Sequence, residues 1–449
     1  MGTHFVASPP STEANNNLLR GLGQRVRVVK RNMSARLAVA LAFLSAVPAA
    51  IVHFGGVPVP VEIATLFYGT AIVGASFAMA WGAEAAEHDI PRALAITTIA
   101  LLAVLPEYAV DIVFAFKAGQ DPAFAPYAAA NMTGSNRLLL GLGWPTIAIL
   151  AWLVRGQRSV RLTRDALLPL AFLSIATVYS FLLPLKANIS LIDTLVLFGL
   201  FIAYGVFAAR EHLAEPDLVG PAAAIGALPP TTRRLTVAAL FAFAATAIGV
   251  SASPFADGLV RTGQRLGIDE FLLVQWLAPL ASEAPEFLVA ALLAVRGKTA
   301  AALALLLSAK LNQWTLLVGS LPLAYAVGAV TLPNPTGPFI SQALPLDARQ
   351  VAEVWLTAAQ SLFGIAVLAS LSLELGEAFL LAGLFLCQFI IGGLLRTAMR
   401  NASGGDQELI VFTVIYLALS VVFLVQARKM LGALLRRGRG ESHYPALQE

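Results

Sequence analysis

The sequence predicts an all-α polytopic membrane protein of about 12 transmembrane helices, arranged as two inverted five-helix repeats with one extra helix at each end. Three observations carry this. Of the 449 residues, 58% are hydrophobic and 12% charged, and the mean hydropathy is +0.77, a composition foreign to soluble domains. The apolar runs are continuous over about 20 residues, enough for a helix to cross hydrocarbon, whereas a transmembrane β-barrel would alternate over segments of roughly ten. A displacement of 179 positions also lays Pro285-Glu286 on Pro106-Glu107, Arg296 on Lys117 and Lys310 on Asn131 without a gap. The chain is therefore read as an internal duplication.

Taken in order, residues 1–35 form a basic tail on the cytoplasmic side, and the first span covers 36–54. Spans at 61–86, 91–116, 124–154, 165–184 and 188–208 make the first transport repeat, 61–208. A hydrophilic connector, 209–233, leads to spans at 234–264, 269–296, 299–330, 350–372 and 376–396, the second repeat. The last span is 408–427, and 428–449 form a second basic tail. Runs 124–154, 234–264 and 299–330 exceed one straight crossing and contain Gly or Pro, so breaks or tilted extensions are expected there. With both termini cytoplasmic, 21 lysines and arginines fall inside and seven outside, leaving Arg137 and Lys310 at membrane depth. Equivalent helices are five spans apart, an odd number. They therefore cross in opposite directions, and the two Pro-Glu steps meet as an inverted pair near the midplane.

The composition also narrows the chemistry. The pI of 9.3 reflects cations in tails and loops that set topology, so no nucleic-acid partner is expected, only the bilayer and small ions. The single cysteine, Cys387, lies in an apolar run and is read as core; it rules out an intrachain disulfide or a cysteine cluster. The five histidines sit at tails and helix ends and support no histidine metal site. Any chemistry must come from carboxylates, amides and Lys310, with no cofactor. The N-terminal region lacks a signal-peptide pattern, and the expected location is a bacterial-type plasma membrane.

Each Pro-Glu step sets a proline before an acid and frees a carbonyl one turn earlier to face a ligand. Carbonyl plus carboxylate suits a hard cation such as calcium or sodium, so Glu107 and Glu286 are the first candidates for cation and metal ligation. Asp111 follows Glu107 by four residues and Glu283 precedes Glu286 by three, so each shares a helix face with its partner and the cavity can hold four carboxylates. Asn131, Ser135 and Asn136 add amide and hydroxyl oxygens in the first copy. The equivalent run in the second copy begins at Lys310 and includes Asn312, placing an ammonium where the first copy has an amide. Three readings of Lys310 stand: a permanent salt bridge to Glu283 or Glu286, a tethered cation in a would-be ion site, or a titrating partner that lets protons drive transport.

These segments resemble the sodium/calcium exchanger superfamily, the cation/calcium antiporters. That family has two inverted repeats of five helices, each with a Gly-Thr-Ser-x-Pro-Glu-like segment and a following Gly-Asn-x-x-Gly-Ser-Asn-like segment. The likeness spans roughly 61–396 and includes the Ala130-Asn131-Met132-Thr133-Gly134-Ser135-Asn136 run. It implies ion-ligand roles for Glu107, Glu286, Asn131, Ser135, Asn136 and Ser282. The chain departs where the family's Thr-Ser pair is Ala103-Val104 in the first copy and Ser282-Glu283 in the second, and where the acid or amide of the second copy is Lys310.

The expected function is that of a secondary antiporter exchanging calcium, or a similar cation, for sodium by alternating access at a central carboxylate site. A proton-coupled exchanger using Lys310 with Glu283 or Glu286 is the alternative. Two other classes are weighed: a membrane-embedded transferase, for which no Asp-rich motif or placed histidine is present, and a degenerate repeat protein that transports nothing.

Overall fold

The computed structural model describes residues 34–86, 89, 105–210, 218–333, 337–398 and 407–437, with backbone alone for 105–107, 165, 393–398 and 429–437. Eleven of the described helices are long and apolar enough to cross a membrane. We number the long helices α1 (Ser34–Gly55), α2 (Val61–Ala86), α3 (Leu105–Gln120), α4 (Pro122–Arg155), α5 (Leu167–Lys186) and α6 (Leu191–Ala208). After a short helix, Gly220–Gly226, come α7 (Pro230–Leu266), α8 (Glu270–Val295), α9 (Thr299–Val330), α10 (Ala348–Leu368), α11 (Leu375–Ala398) and α12 (Gln407–Arg437). The chain is an all-α polytopic membrane protein. Helix ends lie within a few residues of the sequence expectation because apolar length sets them, except that α12 runs on to Arg437, ten residues past the expected end of the last span. The first part of the expected third span, 91–104, lies outside the described residues.

The long runs resolve in two ways. Helices α4 and α9 stay helical by widening into a π-turn, Leu139–Gly143 in the first and Gln313–Leu317 in the second. Such a turn admits one extra residue and frees backbone groups, which suits a helix carrying polar groups inward. By contrast, α7 runs unbroken for 37 residues through Pro254. It is about 55 Å long, against a hydrocarbon core of about 30 Å, so it tilts or projects rather than breaking. Its length is braced by α2. Arg265 of α7 pairs with Glu62 at one end, and Lys117 of α3 reaches Asp257 at 2.5 Å. At the other end Arg233 and Arg234 clasp Asp89 at 2.7 and 2.9 Å.

Among the described residues, four short strands connect the halves. β1 (Ser159–Arg161) follows α4, β2 (Asn188–Ser190) follows α5, β3 (Ala343–Pro345) follows α9 and β4 (Ser372–Glu374) follows α10. β1 pairs antiparallel with β4, and β2 with β3. In each copy the first strand lies between the third and fourth helices and the second between the fourth and fifth. Exchanging the two copies therefore maps one ribbon onto the other. The loop after α4 meets the loop after α10, although the equivalent of the α4 loop is the one after α9. That cross-pairing is what opposite orientation of the halves requires.

The core follows the same exchange. α4 packs on α8, and α3 on the second half of α9. Both crossings are glycine-dependent: a Cβ on Gly134 would fall on the Gln275 carbonyl oxygen, and Cβ atoms on Gly119 and Gly328 would fall on the carbonyls of Tyr325 and Phe116. Close approach through small residues is how apolar helices associate where no hydrophobic drive separates them from lipid. Helix α10 is central, with 78% of its apolar window buried, whereas α1 is peripheral, with 11%. Cys387 corrects the reading of it as core, because it is exposed on α11. In a bilayer an apolar run marks contact with lipid as readily as with protein.

The glycine crossings yield the first prediction. Gly328→Val forces α3 and α9 apart and costs about 1–3 kcal/mol, so the purified protein should lose monodispersity at a clearly lower temperature than wild type. A second concerns the Asp89 clasp. Arg233, with Arg234 beside it, holds the Asp89 carboxyl well below the usual carboxylate range. Its stabilisation is therefore complete above that range and lost only as pH falls through the lowered value. Asp89→Asn should weaken thermal stability by a similar amount at pH 6 and pH 8, a pair of melts that tests the sign directly.

Candidate functional site

The sequence-derived candidates converge on four helices, α3, α4, α8 and α9. They are the helices joined by the glycine crossings, so each half contributes two. Proline accounts for the local geometry of α8: Pro279 and Pro285 lie inside the helix, and Pro285 offers no N–H to the carbonyl of Ala281. Ser282, 4% exposed, turns its hydroxyl to the carbonyls of Ala278 and Pro279 within the same helix. In the first copy Pro106 and Glu107 occupy the opening turn of α3, and the Glu107 side chain lies outside the described residues.

Lys310 is the centre of the arrangement. It is fully buried, and its ammonium donates to the backbone carbonyl of Asn136 at 2.7 Å and to Asn136 Oδ1 at 2.8 Å. The Trp314 ring lies beneath it, 5.2 Å from nitrogen to centroid. Asn136 is itself a candidate ion ligand, so the ammonium stands on oxygens expected to receive a cation. Glu283 is 2% exposed, and its Oε1 accepts from Gln313 Nε2 at 2.9 Å. Ser135 lies beside Glu283, and both Glu286 and Lys310 are within electrostatic reach of it.

On the α3 side Asp111 is fully buried against Asn131, and apart from this pairing neither its carboxylate oxygens nor the Asn131 amide has a well-formed hydrogen-bond partner among the described residues. Ser135 Oγ, beside Glu283, and the oxygens Glu283 Oε2 and Glu286 Oε2 likewise lack a well-formed partner among the described residues. Unsatisfied buried oxygens are costly. A hard cation requires oxygens of this kind. Among the described residues no three acidic, histidine or cysteine side chains form a group that could hold a metal ion, and Glu107 stands outside that comparison.

Two contacts escaped the sequence reading. Tyr108 donates to Asn312 Oδ1 at 2.8 Å, tying α3 to α9 across the halves. Displacement by 179 turns Tyr108 into Phe287 and Asn312 into Thr133, so this bond exists in one direction only. Gln313 and Glu283 behave alike, standing where the first copy has Gly134 and Val104. The second copy thus gained an acid together with its donor. The signal was present as a paired departure from the repeat.

Such a bundle, with two halves of opposite orientation and unsatisfied oxygens converging from both, defines a membrane protein built around a shared polar centre. The profile described as Sodium/calcium exchanger protein matches residues 61–210 and 236–392, and the chain belongs to that family. Among solved structures it is similar to one described as H+/Ca2+ exchanger CAX, at 40% identity over 90% of this chain and 98% of that one, with a TM-score of 0.81. It shares the fold of native YfkE at 16% identity, covering 80% of this chain and 99% of that one, with a TM-score of 0.54. No curated protein matches the chain.

The Lys310 seat can be tested by stability alone. Asn136→Leu leaves the buried ammonium short of an acceptor and should cost about 1–3 kcal/mol or more. Lys310→Met removes charge and demand together and should cost less. A reversed order in thermal melts would mean that Asn136 does not hold Lys310.

Proposed function

We propose that the chain exchanges calcium for protons at the polar centre formed by α3, α4, α8 and α9. The observation that carries this reading is the Lys310 ammonium on Asn136 Oδ1 and carbonyl. A resident positive charge takes the amide and carbonyl oxygens that a co-transported sodium would use. What is left for cargo is anionic: Asp111, Glu283 and Glu286, with Asn131 and Ser135 beside them and Glu107 as the proposed partner of Glu286. Carboxylates are neutralised equally well by a divalent cation or by protons.

Exchange follows from competition. Either load cancels the same charge, whereas the unloaded centre, with several carboxylates facing one ammonium, resists the move that exposes it to the other side. Calcium binding then displaces protons, and proton binding displaces calcium. Ser282 and Asn312 orient the helices on which the ligands stand, the first through its own α8 backbone and the second through Tyr108. Support also comes from the likeness to the H+/Ca2+ exchanger, which is strong in both identity and coverage. The sodium-coupled reading of the same site stays distinct, since it needs Lys310 to be tolerated by sodium chemistry. The proposed setting is a bacterial-type plasma membrane with both termini cytoplasmic.

Radiolabelled calcium flux in proteoliposomes decides between them. A pH gradient should drive calcium into vesicles containing wild type, a sodium gradient should not, and Lys310→Asn should acquire sodium-driven flux. Sodium-driven flux in wild type would overturn proton coupling. Glu286→Gln should insert normally and reduce flux to background under either gradient; full activity in that variant would remove Glu286 from the site.

A further inference from the structure

A stripe of buried polar residues runs along α10: Glu353, Thr357, Gln360 and Ser361, at a spacing that sets all four on one face. A displacement of 184 positions, which lays β1 on β3 and β2 on β4, sets Pro169, Leu173, Ala176 and Thr177 of α5 against them. Three of the four positions are thus polar in the second half alone. That half also carries Lys310. Both ends of the stripe reach the walls of the Lys310 seat, and one of them does so through Arg137, the other cation at membrane depth.

The first end holds the Asn136 wall. Arg137, the next residue on α4, places Nη2 2.6 Å from Glu353 Oε2, and Gln275 Nε2 of α8 donates to the same oxygen at 3.1 Å. The Arg137 carbonyl accepts from Gln360 Nε2 at 3.5 Å. Helix α10 therefore grips α4 by the side chain and the backbone of the residue beside Asn136. The other end holds the Trp314 wall. There the indole Nε1 donates to Ser361 Oγ at 2.8 Å, which aims the ring that lies beneath the ammonium. Ser361 in turn donates to the Thr357 carbonyl, and Thr357 to that of Glu353, so the stripe is also bonded along its own helix.

Two walls that hang from one helix move together. We propose that α10 positions Lys310 from both sides, Glu353 through Arg137 and Ser361 through Trp314, and so fixes where the ammonium stands relative to the carboxylates of the centre. Glu283 is within electrostatic reach of that ammonium. Once released from Trp314, the ammonium can turn toward Glu283 and cancel a charge that calcium needs. Glu353 and Ser361 are positioning residues, acting through Arg137 and Trp314 rather than on the cargo. The effect on calcium rests on the exchange reading of the centre, whereas the positioning itself does not.

Thermal melts of the purified full-length protein test the positioning without transport. Ser361→Ala should lower the melting temperature, and in a Lys310→Met background the same substitution should cost about half as much or less. Thr357→Val, on the same stripe but with its hydroxyl bonded within α10, should cost the same in both backgrounds. Trp314→Phe removes the donor of the Ser361 bond and should show the same coupling to Lys310→Met, so it serves if Ser361→Ala does not fold. In proteoliposomes, Ser361→Ala and Glu353→Gln should raise the calcium KM about threefold or more with the maximal rate within about twofold of wild type, and Thr357→Val should leave both unchanged. Equal costs of Ser361→Ala in the two backgrounds, or a calcium KM that Ser361→Ala leaves unmoved, would overturn the proposal. If wild type moves no calcium under any gradient, the exchange reading fails and the melts alone decide the positioning.

Discussion

An ammonium buried in the middle of an apolar bundle has to be solvated by the protein itself, and the structure depends on how that is done. Lys310 belongs to the second half and its acceptors belong to the first. The bond to Asn136 thus fixes the register of α9 against α4, and Trp314 closes the ammonium from below. Neighbouring groups are arranged around this contact: Glu283 is drawn toward Gln313, and Asn312 toward Tyr108. Each bond satisfies a polar group that lipid could not. Together they define a centre whose remaining oxygens lack a well-formed donor among the described residues.

Much of the fold was legible because a bilayer makes length and apolarity nearly sufficient. Helix α2 begins and ends where the sequence indicated, and α9 likewise covers the expected 299–330. The duplication was legible from Pro106-Glu107 and Pro285-Glu286, since few residues are tolerated at such depth without a reason. What stayed hidden is pairwise. Nothing along the chain ties Arg137 to Glu353, which stands 216 positions away, or Tyr108 to Asn312. The three-residue strands carry no periodicity to detect, and Cys387 showed that apolar neighbours do not distinguish core from lipid-facing surface.

The candidate site was read more fully as a set of residues than as a geometry. Asp111, Asn131, Ser135, Asn136, Glu283 and Lys310 are all buried, as their positions in apolar runs implied. Glu286 is only partly so, although one carboxylate oxygen is enclosed. The sequence left the partner of Lys310 open among three answers. The ammonium's contact with an amide of the opposite half could be recognised only once α4 and α9 were seen side by side, each packed at glycines on a helix of the other half, α8 and α3, rather than placed by any feature of the lysine.

The two β-ribbons bear on how the molecule is made. Each takes one strand from the first half and one from the second, so neither ribbon exists when the first six helices have left the ribosome. Until then β1 and β2 are open edges, Asn136 has no ammonium to hold, and the crossings at Gly119 and Gly134 face nothing. The first half must therefore wait in the bilayer as an incomplete surface. Its folding is finished by a template that arrives later and upside down, and a chain arrested between α6 and α7 would hold helices without a polar centre.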